Sequence, residues 1–144
     1  MIRQPSALAL AIDTELSTTV RGYQASEHRM AVLLARMDQG KLHQEFGYAS
    51  LTDYGAERLG LEPRQTRALL RIGKKLPDLP LLDRAMAEGQ LGWTKVRELA
   101  KVLTPQNEAD WIALARTATS RLLERAVQAS GKDGAPPSHV DLED

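Results

Sequence analysis

Apolar residues recur along this chain at the three-and-four spacing of amphipathic helices. Ile12, Leu16, Val20 and Tyr23 mark one such face, and Met30, Leu33, Leu34 and Met37 continue it in shifted phase. The pattern predicts a long helical region from about Ala7 to Gln39, preceded by a frayed segment over residues 1–6. Gly22 and Ser26 weaken its middle, which leaves open one helix or a helix pair. Gly40 is placed to close it. Lys41 to Ala49 is a connector with Gly47 as its turn residue. Ser50 then opens a capping pattern, with Asp53 three residues on, for a short helix from Leu51 to Leu59 that Gly60 breaks. Pro63 suits the first position of the next helix, which runs to about Leu76 and stops before Pro77. Further helices are expected over Leu81 to Glu88, Gly92 to Leu103 and Pro105 to Thr117, the last capped by Thr104. A final one, capped by Thr119 or Ser120, ends near Ser130. Residues 131–144 carry no apolar period and are rich in Gly and Pro, so they read as a tail or linker.

Composition narrows the fold. Leu and Ala number 41 together against 10 for Val and Ile, which favours helix over strand and predicts an all-α multi-helix bundle. The 144 residues suit one domain. The absence of cysteine excludes disulfides, thiolate metal sites and cysteine nucleophiles, and it favours an intracellular address. The apolar stretch Ala7 to Ile12 is far too short to span a bilayer, and it lacks the basic flank and cleavage site of a signal peptide. A cytoplasmic protein is the expectation, with no membrane partner.

Chemistry is sparse. His28, His43 and His139 are widely separated. His43 and Glu45, two apart, share no helical face, and Asp53 with Glu57 reads as a cap residue beside a solvated carboxylate. There is no Gly-rich phosphate loop and no nucleophile elbow. No metal, cofactor or catalytic residue is expected, and the chain does not read as an enzyme.

Charge changes the picture once it is followed along the chain. The total is zero, with 19 basic and 19 acidic residues, which by itself argues against a nucleic-acid partner. Between Arg58 and Lys75, however, six cations stand against Glu62 alone, while the tail sets Lys132 against Asp133, Asp141, Glu143 and Asp144. The basic segment coincides with a short helix, a Gly turn and a second helix, the layout of a helix-turn-helix over about Leu51 to Leu76. At 100° per residue, Arg64, Arg67, Arg71, Lys74 and Lys75 fall within an arc of about 100°, opposite Leu69, Ile72 and Leu76. The apolar arc docks on the body and leaves a basic stripe. The second helix of such a unit enters the major groove with its N-terminal residues at base edges. Arg64, Gln65 and Arg67 are accordingly the candidates for base contacts. Ser50, Thr66, Arg71, Lys74, Lys75 and Lys95 are the candidates for phosphates. An equally ordinary reading of a basic stripe is a solvated helix face.

The run from Tyr54 through Leu-Gly-Leu-Glu-Pro-Arg-Gln-Thr-Arg to Leu76-Pro77 resembles the helix-turn-helix of ParB/KorB-type DNA-binding proteins. A closer likeness is to the helical domain that precedes HNH nuclease modules in bacterial proteins. It is carried by Phe46-Gly-Tyr-Ala-Ser-Leu-Thr-Asp-Tyr, the Leu-Gly-Leu turn, Gly89-Gln-Leu-Gly-Trp-Thr-Lys and Leu103-Thr-Pro-Gln-Asn-Glu, and it covers roughly Lys41 to Ala129. The resemblance implies double-stranded DNA binding with a regulatory or targeting role at the nucleoid. The paired His and Asn of an HNH module and the arginine-rich signature of ParB are absent, so no catalysis is carried over.

Trp93 and Trp111 read as core anchors, while Lys95 and Arg97 offer a second phosphate contact. The N-terminal helix either packs on the domain or pairs with its counterpart in a homodimer. The alternative to DNA binding is a protein-interaction or dimerisation module associated with a nuclease.

Overall fold

The computed structural model describes residues 4–131 and 134–137. These form seven α-helices and no strand: α1 (Ala7–Gln39), α2 (Leu51–Leu59), α3 (Pro63–Lys75), α4 (Pro80–Ala87), α5 (Trp93–Leu99), α6 (Glu108–Thr117) and α7 (Ser120–Ser130). The fold is the all-α multi-helix bundle that the Leu and Ala excess predicts.

The long region is a single helix. Ser6 caps α1 by accepting the Ala9 N–H at 3.0 Å, and the Ser26 hydroxyl donates to the Gly22 carbonyl at 3.0 Å, which ties its two weak positions together. Gly40 closes the helix at φ −91°, and Lys41 takes the left-handed conformation instead, at φ 51°, leading into a 3-10 turn over Leu42–Phe46. From Arg21 onward α1 packs on the body, against Gly89, α3 and α4. There Ala31 and Leu34 are buried. Gly73 of α3 sits so close to the Ala31 carbonyl that any β-carbon would collide with that backbone. His28 Nε2 meets Asp83 Oδ1 of α4 at 2.6 Å.

Caps set the other boundaries. Ser50 accepts the Asp53 N–H at 3.1 Å, and Thr119 accepts that of Leu122 at 3.1 Å. Gly60 takes φ 69°, and the Leu61 N–H donates to the Gly55 carbonyl at 3.0 Å, so the α2–α3 turn closes on a left-handed glycine. One expected start is displaced. The sixth helix begins at Glu108, not Pro105, because Thr104 and Asn107 lock residues 104–107 into a turn. The Thr104 N–H donates to Asn107 Oδ1 at 2.7 Å, and the Asn107 N–H donates to Thr104 Oγ1 at 3.2 Å.

The core gathers around Trp111, with Leu69, Leu82, Met86, Leu99 and Leu123 fully buried beside it. The carboxylate of Glu108 is buried among these residues and accepts the Leu82 N–H at 2.8 Å. Helix α4 has no side-chain cap of its own, so Glu108 supplies from α6 the acceptor that its first turn lacks. The tail returns to the body. Gly134 accepts Asn107 Nδ2 at 3.1 Å and Trp111 Nε1 at 2.7 Å, so the segment at 134–137 lies against α6. The acidic positions Asp133, Asp141, Glu143 and Asp144 lie outside the described residues, as do Met1 to Arg3.

Candidate nucleic-acid interface

Helix α3 is held by its apolar side. Leu69 and Ile72 are buried in the core, and Thr66 faces α2, where a β-carbon on Gly55 would meet its Oγ1 at 2.6 Å. Thr66 is only 1% exposed. It therefore leaves the phosphate-contact set: it is the close-packing point of the α2–α3 pair, and a hydroxyl there reaches no external partner.

Docking α3 in this way turns Arg64, Gln65, Arg67 and Arg71 outward into an open groove of about 1290 Å³. Across from them, α5 contributes Trp93, Thr94, Lys95 and Arg97, and α1 contributes Val20, Tyr23, Gln24 and Glu27. The fold thus brings together the three base-contact candidates, Arg71 and Lys95. Among the described residues, no carboxylate lies within ion-pair reach of Arg64, Arg67 or Arg71. These three guanidiniums keep all their donors available, and each has the planar fork that meets phosphate or guanine two bonds at a time.

The lysines behave differently. Lys75 Nζ donates to the Ala100 carbonyl at 2.8 Å, at the C-terminal end of α5, where unpaired carbonyls and the negative end of the helix dipole attract a cation. Lys95 Nζ donates in the same way to the Ala115 carbonyl in the last turn of α6, at 2.8 Å. Lys74 pairs with Asp38 of α1 at 2.9 Å. Ser50 is occupied as the cap of α2 and shares a 3.1 Å hydrogen bond with Thr52. Ser50, Lys74 and Lys75 stand outside the groove lining. The basic stripe is therefore divided: its N-terminal arginines face the groove, and its C-terminal lysines fasten α3 to α1 and α5.

Four contributors escaped the sequence. Tyr23 and Gln24 enter the groove because α1 overhangs α3, and no local signal encodes that overhang. Trp93 is half-buried, packed on the core with one side and lining the groove with the other. Glu27 lines the same groove from α1, and burial raises its carboxyl above the ordinary carboxylate value. Of the two acids in the lining, Glu27 and Glu62, it is the buried one, and its carboxylate opposes a bound anion in a way that its protonated form does not.

An aromatic cluster lies apart from the groove. Phe46 and Tyr48 each approach Tyr54 at 5.8 Å between ring centroids, and the Arg58 guanidinium sits 4.6 Å from the Phe46 ring centre. Arg58 is thereby engaged at the foot of the helix-turn-helix.

Among the described residues, no group of His, Asp and Glu has the clustering of a metal site, and no helix is long and apolar enough to cross a membrane. Comparisons of the chain with family models, with curated proteins and with solved structures return no match.

Proposed function

We propose that this chain binds double-stranded DNA, with α3 approaching the major groove and the facing wall of α5 receiving the adjacent sugar–phosphate strand. The observation that carries the reading is the set of three unpaired arginines, Arg64, Arg67 and Arg71, on one exposed face of the second helix of a helix-turn-helix. Arg64, Gln65 and Arg67 occupy the N-terminal half of α3 and are assigned to base edges, since that half of such a helix reaches them. Arg71 and Arg97 are assigned to phosphates. Lys95 supports the wall through its bond to Ala115, and its contribution to DNA is secondary. The role is one of targeting or regulation, with no catalytic step of its own.

Fluorescence anisotropy on random-sequence duplexes across a salt series tests the reading. Two arginine–phosphate contacts, from Arg71 and Arg97, would give a slope of log affinity against log salt of about −1.8. Arg67→Ala, if Arg67 meets a base, costs about 1–3 kcal/mol on a preferred site and much less elsewhere. An equal loss on every sequence would move Arg67 to the phosphate set, and absence of binding at low salt would remove DNA as the partner.

A further inference from the structure

Ahead of Arg21, which packs against Gly89, every residue of α1 is exposed. Leu8 is 70% exposed, Leu16 59% and Tyr23 64%, and Ile12 and Val20 are each about half exposed. At 100° per residue these five side chains fall within an arc of about 120°. The same arc holds Glu27 and Leu34, and Ala31 lies about 20° beyond its edge; these three are the buried positions of α1. The apolar face that docks the helix on the body thus continues, uncovered, along the overhang.

We infer that a second copy of this chain covers it, through antiparallel pairing of the two α1 overhangs. Size and shape both support this. Residues 7–23 span about 25 Å of helix. Laying this face on its own copy removes on the order of 600 Å² per chain, about 1,200 Å² in total, which reaches the range of specific interfaces. The body hangs from the same side of α1 that carries the exposed face. A parallel pair would place the two bodies in one volume at one end. An antiparallel pair puts them at opposite ends, with Leu16 beside its symmetry mate and Ile12 facing Val20 of the other copy. The tip of each α1, with Leu8, then reaches the Tyr23 end of the other copy's groove. Such a two-fold is self-complementary, as closed dimers require. The pairing stands independently of the DNA reading. One consequence alone rests on that reading: a dimer offers two symmetry-related grooves, the arrangement that engages paired half-sites.

Light scattering coupled to size exclusion, without DNA, tests the pairing across about 1–100 µM, where interfaces of this size commonly associate. The expected mass is twice the 15.9 kDa of the chain, falling to one chain in the Ile12→Glu/Leu16→Glu double variant, whose changes are on exposed positions and whose helical circular dichroism should be retained. The cysteine-free chain also permits a test of direction. Leu16→Cys should cross-link to itself with a short bis-maleimide, and Leu8→Cys should not. A monomer throughout the range, or a double variant that remains dimeric, overturns the pairing. Efficient cross-linking at both positions overturns its antiparallel sense. None of these outcomes alters the anisotropy result for DNA, so the two readings fail separately.

Discussion

Replacing Arg71 and Lys75 separately by alanine distinguishes a DNA-facing cation from a structural one on the same helix face. The two residues lie four apart on α3, and on a helical wheel they are interchangeable. In the folded chain Arg71 lines the groove, whereas the Lys75 amine is spent on the Ala100 carbonyl at 2.8 Å. Loss of one phosphate contact shifts the salt slope by about 0.9, so Arg71→Ala should move it from about −1.8 to about −0.9. The same term predicts an affinity loss of about eightfold at 0.1 M salt, equal for all sequences. Lys75→Ala should leave the slope unchanged. Its effect belongs to folding: a hydrogen bond from a charged, half-buried donor is lost, costing about 1–2 kcal/mol and lowering Tm by several degrees. Anisotropy titrations at four salt concentrations and a thermal melt of each variant supply the data. Equal slope changes in the two variants would show that the stripe acts as one undivided face. An Arg71→Ala slope equal to that of the unaltered chain would remove Arg71 from the interface.

Other consequences follow from single contacts. Gly73→Ala forces a methyl into the Ala31 carbonyl at the α1–α3 crossing and should cost about 1–3 kcal/mol or more, read as a lower urea midpoint. Glu108→Ala leaves the Leu82 N–H buried without its acceptor and should destabilise by about 1–3 kcal/mol, again visible in denaturant unfolding. For Glu27 the folded carboxyl titrates above its unfolded value, so the native state holds the proton more tightly. Its contribution to stability is present at low pH and is lost as pH rises from the unfolded value through the folded one. Glu27→Gln should therefore raise Tm at pH 7, with the gain shrinking as pH falls toward 4.5. It should also strengthen DNA binding at pH 7 by removing an acid from the groove; an unchanged affinity would place Glu27 out of reach of the bound anion.

Local chemistry made most of the helix boundaries legible. Ser50, Gly60, Pro63 and Thr119 each act within three residues of themselves, and each marks the element it was expected to mark. The start of α6 was not legible, because Pro105 suits a first helical turn and the competing Thr104–Asn107 turn depends on a side chain two residues later. The charged face of α3 was visible from spacing alone, and its division was not. Which cations are spent inside the protein depends on carbonyls at Ala100 and Ala115, both at least 20 residues away in sequence. Thr66 illustrates the same limit. A hydroxyl beside two arginines reads as a surface group, and its burial is decided by the missing side chain of Gly55. On α1, the apolar period is the same where the face is buried and where it is open, so the sequence marks the face without showing where the body ends.

The central claim is a location: duplex DNA in the groove between α3 and α5. Backbone amide chemical shifts of the ¹⁵N-labelled chain, followed while a duplex is titrated in at low salt, test it directly. The account predicts that the largest shifts fall on residues 64–71 and 93–97, with residues 7–19 of α1 and the Phe46–Tyr54 cluster little changed. Shifts concentrated on either of those two surfaces, or none at saturating duplex, would contradict it.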